Sequence, residues 1–301
     1  MVARMTRYLL LFEFLFWLSV GGAVFLTGLA SGVTVICGVL LGIFVLRLGI
    51  MGSSFVYAIA RSPKLARALK TGLIGGVWTL LKEAFWVTLA YSLFMPFERF
   101  WLQGDRLADV VRGRVPILLV HGFSCNRGVW VRVARVLHKA GWPVTSVNLE
   151  PPHANIDHFA TQLARRIEEV LRTTGSEQLI LVCHSMGGLV ARRYLDLHGE
   201  MSVKAVITLG TPHHGSLLAR YGMGDCAREM EPDSEWLAKL PQSLKVPFVS
   251  IYSMHDNLVV PATSSRLQGA RNVTLTGVGH ICMLFSDRLS RHLLRELAGV
   301  R

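Results

Sequence analysis

A serine with small neighbours stands in the middle part of the chain, in Cys183-His184-Ser185-Met186-Gly187-Gly188. A short apolar run precedes it and an amphipathic stretch follows it, which predicts a sharp turn between a strand and a helix. Such a turn lifts a serine hydroxyl above the edge of a sheet, where it can attack a carbonyl carbon. Small residues are needed because the two backbones nearly touch: Gly187 is one, and Cys183 stands where the usual pattern has glycine. The alternative is a chance serine in an ordinary turn.

A serine nucleophile needs a base, and the base needs an acid that orients it. The chain has 11 histidines, so the candidate base must be selected by its position relative to the predicted strands. His280 follows the last predicted strand and the tight Gly277-Val278-Gly279, which puts it at the same sheet edge as the serine. Asp256 follows the preceding predicted strand and is the candidate acid. The reserve candidates are His255 for the base and Asp225, Asp233 and Glu231 for the acid.

Two backbone N–H groups are candidates for an oxyanion hole. His121-Gly122-Phe123 follows the first of the predicted strands, and a turn there can aim the N–H of Phe123 at a developing oxyanion. The N–H of Met186, the residue after the nucleophile, supplies the second donor. His121 itself is expected to make a structural hydrogen bond within its loop. The side chain of His184 is expected to point away from the serine.

Short apolar runs and amphipathic segments alternate from Val115 onward. The predicted strands are Val115–Val120, Val144–Leu149, Leu179–Cys183, Ala205–Leu209, Phe248–Tyr252 and Val273–Thr276. The predicted helices between them are Val129–Ala140, Ile156–Arg172 and Met186–His198. This alternation predicts an α/β fold, in which a parallel sheet is covered by helices on both faces. Reactive residues should then collect in loops at the carboxyl ends of the strands.

Four motifs in this part of the chain together resemble bacterial triacylglycerol lipases and related esterases of the α/β-hydrolase fold. They are Leu118-Leu119-Val120-His121-Gly122-Phe123, His184-Ser185-Met186-Gly187-Gly188, Leu209-Gly210-Thr211-Pro212-His213-His214-Gly215 and Val278-Gly279-His280. The resemblance covers about residues 114–300, in the order Ser…Asp…His of that fold. It implies a minimal version of the fold that begins at the family's third strand.

The resemblance also implies the roles of the site residues. Ser185 would be the nucleophile, His280 the base and Asp256 its orienting acid, with the amides of Phe123 and Met186 as the oxyanion hole. Some relatives bind a structural calcium, but its carboxylates find no match in this chain, so no metal is expected. The triad supplies all the chemistry, so no cofactor is expected either.

Three other features have more than one interpretation. Adjacent histidines such as His213-His214 rarely face one metal ion together, and they are expected to be structural. A disulfide among Cys125, Cys226 and Cys282 is possible, but its pairing cannot be deduced from sequence. The segment Ser216–Leu244 departs from simple alternation, and it is either a lid over the serine or a surface excursion.

The first hundred residues are different in composition. From Phe14 to Leu46 no residue is charged, a run of 33, which is too long for one membrane span and suits two at about 20 residues each. The predicted helices are Tyr8–Thr27 and Val33–Phe55, joined by a turn at Gly28–Gly32. The alternative is a cleaved signal peptide ending near Ala30, but the apolar region is longer than is usual there.

The flanks of this hairpin and the stretch after it bear on topology. Both flanks are basic, which places them on the cytoplasmic side of an inner membrane of bacterial type. The basic residues are Arg4 and Arg7 before the hairpin and Arg61, Lys64, Arg67 and Lys70 after it. The apolar stretch Leu73–Met95 carries Lys82 and Glu83 at its centre, where each costs about 2.5–3.5 kcal/mol in a span. This stretch is either a helix that lies in the membrane interface or a third membrane span.

Charge and composition exclude several classes of protein. The net charge is +12, of which the nearly acid-free residues 1–100 carry half. No basic and aromatic stripe or nucleic-acid-binding motif accompanies it, so an anionic membrane surface is the expected partner. With 51% hydrophobic and 17% charged residues, the chain is not intrinsically disordered.

The sequence as a whole predicts a membrane-anchored serine hydrolase. Residues 1–100 form the anchoring region, 101–113 a linker and 114–301 the hydrolase domain. The predicted substrate is a carboxylic ester, especially of an acyl lipid, cleaved through an acyl-enzyme. A thioesterase or an acyltransferase would use the same triad, and a non-catalytic membrane scaffold could keep the same fold.

Overall fold

The computed structural model describes residues 1–28, 31–62, 72–102, 114–241 and 246–300. Most of the predicted linker and the basic residues Lys64, Arg67 and Lys70 lie outside these ranges, as do Leu29 and Ala30 of the predicted hairpin turn. The amino-terminal part is helical: α1 (Val2–Leu26), α2 (Gly32–Arg61), α3 (Leu73–Leu89), a π-helical turn (Ala90–Phe94) and α4 (Glu98–Trp101).

Helices α1 and α2 are long and apolar on most of their surface. Among the described residues, they are the two helices whose length and composition allow a membrane crossing, with 25 and 30 residues. Their large apolar side chains, such as Phe12, Leu26 and Leu40, are exposed. The charged groups of the hairpin, Glu13 and Arg47, form an ion pair of 2.7 Å between the helices. Each of these charges therefore has a partner of opposite sign in the neighbouring helix.

The carboxyl-terminal part contains a six-stranded parallel sheet of order β2-β1-β3-β4-β5-β6. Its strands are β1 (Ile117–Val120), β2 (Val144–Val147), β3 (Leu179–His184), β4 (Val203–Leu209), β5 (Phe248–Ser253) and β6 (Arg271–Leu275). All the predicted strands form, each within a few residues of the predicted bounds. The predicted α/β class is confirmed.

Helices cover both faces of this sheet. They are α5 (Val131–Lys139), α6 (Ile156–Thr174), α7 (Met186–His198) and α10 (Asp287–Gly299), with the short α8 (Asp225–Glu229) and α9 (Glu235–Ala238) after β4. Successive residues of a strand point to opposite faces. Leu119 therefore packs in the core under α5 and α10, whereas Leu118 packs under α6 and α7.

The amino-terminal helices share the first of these two cores. Val87 of α3 and Met51 of α2 are buried in the same cluster as Ile117 of the sheet. Trp86 stacks on Phe285, with ring centroids 4.4 Å apart and planes 3° apart. The helical region is therefore packed against the sheet domain, and its contacts reach the carboxyl edge of the sheet.

Candidate active site

The order of the strands fixes where a site can form. β1 lies between β2 and β3 in the sheet. The chain therefore passes from β1 to β2 on one side of β1, and then crosses over to β3 on the other side. A crevice opens outside the carboxyl ends of strands at such a switch point. The loop after β1 carries Gly122 and Phe123, and the turn after β3 carries Ser185. These are residues that the sequence predicted to act together.

Ser185 occupies a strained turn between β3 and α7. Its φ is 54° and its ψ is −127°, a conformation that non-glycine residues rarely adopt and that the surrounding structure must impose. Gly187 permits the turn, because a Cβ there would lie 2.5 Å from the carbonyl oxygen of Val120. The N–H of Ser185 donates to the oxygen of Leu209 at 2.9 Å. The hydroxyl is thereby presented at the carboxyl edge of the sheet.

The loop after β1 passes directly beside this serine. A Cβ on Gly122 would lie 2.7 Å from the Cβ of Ser185, so no larger residue fits. Phe123 lines the same cavity as Ser185. Met186 is the first residue of α7, and the N–H groups of a first helical turn have no partner within the helix. Both predicted oxyanion donors thus belong to backbone segments that flank the serine.

His280 and Asp256 form a buried hydrogen-bonded pair. Nδ1 of His280 donates to Oδ2 of Asp256 at 2.8 Å, and both residues are almost fully buried. The other carboxylate oxygen, Oδ1, accepts the N–H groups of Leu258 at 2.9 Å and Val259 at 2.8 Å. Burial alone would lower the pKa of His280, but the charge and hydrogen bond of Asp256 outweigh it and raise that pKa above its usual value.

Residues 115–236 match the family described as alpha/beta hydrolase fold. The mature form of the lipase BlEst2 of Bacillus licheniformis superposes with a TM-score of 0.56 and 21% identity, over 62% of this chain and 93% of that one. This part of the chain has the α/β-hydrolase fold. The predicted fold and the resemblance to bacterial lipases and esterases are confirmed.

Named relatives of the hydrolase fold cover only part of the chain. A triacylglycerol lipase of Pseudarthrobacter phenanthrenivorans is 32% identical over 116 residues, 36% of this chain and 36% of the lipase. A lysosomal thioesterase of Xenopus laevis is 26% identical over 117 residues, 36% of this chain and 38% of the thioesterase. The chain therefore spans little more than a third of the length of these curated relatives.

Helix α3 supplies a carboxylate that the sequence did not assign to the site. Glu83 is fully buried, and its two oxygens accept the N–H groups of Ile281 and Cys282, each at 2.8 Å. These are the residues directly after His280. The adjacent Lys82 donates to the oxygen of Gly277 at 3.2 Å. The two charges that count against a membrane span thus both bind the loop that holds His280.

The ionisation of Glu83 is coupled to this loop. Burial raises its pKa to about 7, although the N–H groups of Ile281 and Cys282 and the nearby His280 favour the charged form. The Glu83 carboxylate in turn contributes to raising the pKa of His280. Glu83 therefore holds the loop of His280 through two hydrogen bonds and influences the pKa of His280 through its charge.

A second brace runs through Asn257 to helix α2. The Asn257 side-chain oxygen accepts the N–H of His280 at 3.1 Å, and its Nδ2 donates to the hydroxyl of Ser54 at 2.8 Å. All three residues are buried. No local motif marks this contact in the sequence, because it joins residues more than 200 positions apart.

Two other histidines, His121 and His255, lie near the site but have their own hydrogen-bond partners. His121 donates to the oxygen of Gly122 at 2.9 Å and accepts the N–H of Leu149 at 3.0 Å, and burial lowers its pKa to about 4. It therefore has the structural position that was predicted. His255, the reserve base, accepts the N–H of Gly277 at 3.1 Å. The histidine that is hydrogen-bonded to Asp256 is His280.

The expectation for His184 is wrong. Its ring does not point away from the site but lies beside His280, with centroids 4.6 Å apart, and its Nε2 is 3.3 Å from the backbone oxygen of His280. The ring also packs edge-on against Trp130 at 6.3 Å. Burial holds the pKa of His184 well below its usual value, so the ring supports His280 without adding a charge.

The remaining polar candidates lie elsewhere. Among the reserve acids, Asp225 pairs with Arg228 at 2.5 Å on the surface, and neither Asp233 nor Glu231 is hydrogen-bonded to His280. His213 is buried with Nε2 3.1 Å from the hydroxyl of Thr208, whereas its neighbour His214 is exposed. The two rings therefore do not face one point.

All five cysteines are free thiols in the structure. The possible disulfide among Cys125, Cys226 and Cys282 does not form. Burial raises the pKa of each of these three thiols, and burial also raises that of Cys183 beside the nucleophile. In the described ranges, no group of three His, Cys, Asp or Glu side chains is placed to hold a metal ion.

A cavity of about 660 Å³ opens beside Ser185 and His280. One wall comes from the loop after β1, and another comes from the segment Ser216–Leu244, through Leu218, Tyr221 and Met230. That segment therefore covers one side of the site, although its last residues, 242–244, lie outside the described ranges. The volume falls within the range of about 300–1,000 Å³ that is usual for small-molecule sites.

Proposed function

We propose that this protein is a membrane-anchored serine hydrolase that cleaves carboxylic esters of acyl lipids. The observation that carries the proposal is the buried pair of His280 and Asp256, joined at 2.8 Å and lining one cavity with the strained Ser185. A structural pair alone would not explain a serine held at φ 54° beside it. Relatives of the hydrolase fold named triacylglycerol lipases support an ester as the substrate.

In the first half of the proposed reaction, Oγ of Ser185 attacks the ester carbonyl carbon. Because Nδ1 of His280 is bonded to Asp256, Nε2 is free to take the serine proton. The carbonyl oxygen becomes an oxyanion that accepts the N–H groups of Phe123 and Met186. When the C–O bond breaks, the imidazolium returns the proton to the leaving alcohol, and the acyl group remains on Ser185.

The second half repeats these steps with water. His280 takes a proton from the water as its oxygen attacks the acyl-enzyme carbonyl. Collapse of the second tetrahedral intermediate releases the fatty acid and returns the proton to Ser185. The residues of this chain account for each proton, and the proposed reaction contains no step that needs a metal or a cofactor.

The membrane part of the proposal rests on α1 and α2. Both hairpin ends meet the carboxyl edge of the sheet: the amino group of Met1 pairs with Glu150 after β2, and Ser54 binds Asn257 after β5. The turn between the helices therefore lies far from the site, across the bilayer. With the basic residues near the hairpin ends, we place the hydrolase fold at the cytoplasmic face of a bacterial-type inner membrane.

Helix α3 completes this arrangement as an interfacial element. Its inner face carries Glu83 against the hydrolase fold, and its outer face exposes Ile74, Val77, Trp78 and Phe85. An apolar face with tryptophan suits the headgroup region. We therefore retain residues 1–100 as the anchoring region, 101–113 as the linker and 114–301 as the catalytic domain.

A thioester substrate is the second candidate. The thioesterase of Xenopus laevis among the relatives supports it, and acyl-enzyme chemistry is the same for both substrates until the leaving group departs. A non-catalytic scaffold would need no serine in a strained turn beside a buried His–Asp pair.

Release of free fatty acid tests the proposal. Full-length protein in detergent is incubated with a triacylglycerol, a p-nitrophenyl ester and an acyl-thioester, and Ser185→Ala is compared with Ser176→Ala, at the opposite edge of the sheet. We expect ester hydrolysis in wild type and Ser176→Ala, and a loss of about 10⁶-fold in Ser185→Ala. Faster turnover of the thioester than of the esters would favour the thioesterase. Full activity in Ser185→Ala would contradict both candidate functions.

A further inference from the structure

One wall of the cavity beside Ser185 is made by helix α2, which lies outside the hydrolase fold. Ile50, Met51, Ser53, Ser54 and Tyr57 all line it. The spacing of these residues along the helix places them on a single face. The proposed anchor therefore takes part in forming the space in which an acyl chain would lie.

This wall is held firmly against the hydrolase fold. Ser54 accepts a hydrogen bond from Asn257 at 2.8 Å, and Asn257 accepts the N–H of His280 at 3.1 Å. One turn further along, the ring of Tyr57 meets that of Tyr221 edge-on, with centroids 5.9 Å apart. A helix that served only as a tether would not need hydrogen bonds that lead to the candidate base.

Exposure changes along the wall. Met51 is only 7% exposed, whereas Ile50 beside it is 52% exposed. Ser54 is buried, whereas Ser53 is exposed. Ile50 and Ser53 thus stand at the mouth of the cavity, and Met51 and Ser54 stand deeper, near the reacting groups.

The mouth also coincides with the end of the expected membrane crossing. Helix α2 has 30 residues, and a crossing uses about 20 of them. Counted from Gly32 at the distal turn, the crossing ends near Met51, which is where the cavity lining begins. The large apolar residues before this point, such as Val45 and Leu46, are exposed and face lipid in this arrangement.

We infer that this face of α2 is the acyl-chain subsite, and that the substrate is a membrane lipid with a long acyl chain that enters from the bilayer along α2. The inference rests on the proposed function. The ester group of a bilayer lipid lies where headgroups meet acyl chains, at the level of Ile50 and Ser53. A substrate can thus keep its chain against apolar surface while its carbonyl moves to Ser185. Chain-length preference then depends on the anchor helix.

A matched pair of α2 variants tests this inference in the full-length protein. Ser53→Trp places a large ring at the mouth, and Val56→Trp places the same ring on a residue of the same helix that is 66% exposed and does not line the cavity. The measurement is kcat/KM for p-nitrophenyl butyrate and p-nitrophenyl palmitate in the same detergent. We expect Ser53→Trp to lower the palmitate-to-butyrate ratio by about tenfold or more, and Val56→Trp to leave it unchanged.

The outcomes distinguish failure of the acyl-chain subsite from failure of the proposed hydrolase activity. An unchanged ratio in Ser53→Trp, or an equal loss in Val56→Trp, overturns the subsite while wild-type activity still supports the hydrolase. Hydrolysis of neither ester by wild type overturns the proposed function itself. If Ser53→Trp fails to fold, as judged by its melting temperature, Ile50→Trp at the same mouth takes its place with the same expected ratio.

Discussion

In the hydrolase fold, the candidate catalytic side chains stand on loops that the sheet positions by its strand order. In the amino-terminal helices, the side chains that reach the same site come from helix interiors: Ser54 from α2, and Lys82 and Glu83 from α3. The first arrangement is local, since each residue follows directly after its strand. The second depends on contacts between distant segments. The candidate catalytic residues thus come from the hydrolase fold, whereas the amino-terminal helices supply hydrogen bonds that hold the loop of His280.

After loss of the candidate nucleophile itself, the largest expected effect comes from the candidate orienting acid. Asp256→Asn should lower kcat/KM by about 10⁴-fold, because the amide can present its N–H₂ to Nδ1 of His280 and leave the proton on Nε2. Asp225→Asn is the control, since Asp225 pairs with Arg228 on the surface. Equal activity in wild type and Asp256→Asn, measured on p-nitrophenyl butyrate, would remove Asp256 from the site.

The next effect tests the brace from α3. Glu83→Ala removes the acceptors of two backbone N–H groups, and an unsatisfied buried group costs about 1–3 kcal/mol. We expect a clear fall in melting temperature together with a fall in kcat, because the His280 loop loses its position. A stable, fully active Glu83→Ala variant would show that α3 merely packs against the fold.

Glu83→Gln separates charge from bracing. Because burial raises the pKa of Glu83 to about 7, the folded protein keeps a proton that the unfolded chain releases at lower pH. The stability that this gives is present below the unfolded pKa, near 4.5, and is lost as pH rises through about 7. Wild type should therefore lose stability relative to Glu83→Gln over this window, as followed by urea unfolding at several pH values.

The same variant should shift the pH profile of activity. His280 must be neutral to act as a base, so kcat/KM rises with pH through its pKa. The Glu83 carboxylate helps to raise that pKa, so the acid limb should move to lower pH in Glu83→Gln. Glu98→Gln is the control: Glu98 is buried and binds Asn148 at 3.0 Å, and its loss should leave the limb in place. A merely structural Glu83 would also leave it in place.

The smallest effect concerns the brace from α2. Ser54→Ala leaves Nδ2 of Asn257 without its hydroxyl acceptor, at a cost of about 1 kcal/mol, and should lower activity a few-fold by loosening His280. Ser19→Ala is the control, because its hydroxyl bonds only the oxygen of Phe16 in its own helix, at 2.7 Å. If the two variants melt alike and turn over alike, the α2 contact does not support the site.

The sequence predicted the parts of the site that depend on local pattern. Ser185 could be chosen as a candidate because a strand, a sharp turn and a helix leave a local signature. His280 and Asp256 could be chosen because each follows an apolar run at the expected sheet edge, and the structure brings these two candidates within 2.8 Å of each other. The parallel sheet followed from the alternation of the same short runs and helices.

The contacts from the helices could not be predicted in the same way. In the sequence, Glu83 is a charge that opposes a membrane span, and only the packing of α3 against the His280 loop gives it two N–H partners. Nothing in the sequence distinguishes Ser54 and Asn257 from other polar residues. Their hydrogen bond is evident only once α2 packs against the loop after β5. His184 was placed wrongly because a local turn does not show that its ring lies beside those of Trp130 and His280.

Covalent labelling shows whether Ser185 is a nucleophile activated by the His280–Asp256 pair. Detergent-solubilised full-length protein is treated with a fluorescent fluorophosphonate, and wild type is compared with Ser185→Ala and Asp256→Asn. We expect strong labelling of wild type, none of Ser185→Ala, and much slower labelling of Asp256→Asn. Labelling that persists in a folded Ser185→Ala, or is absent from a folded wild type, would contradict it.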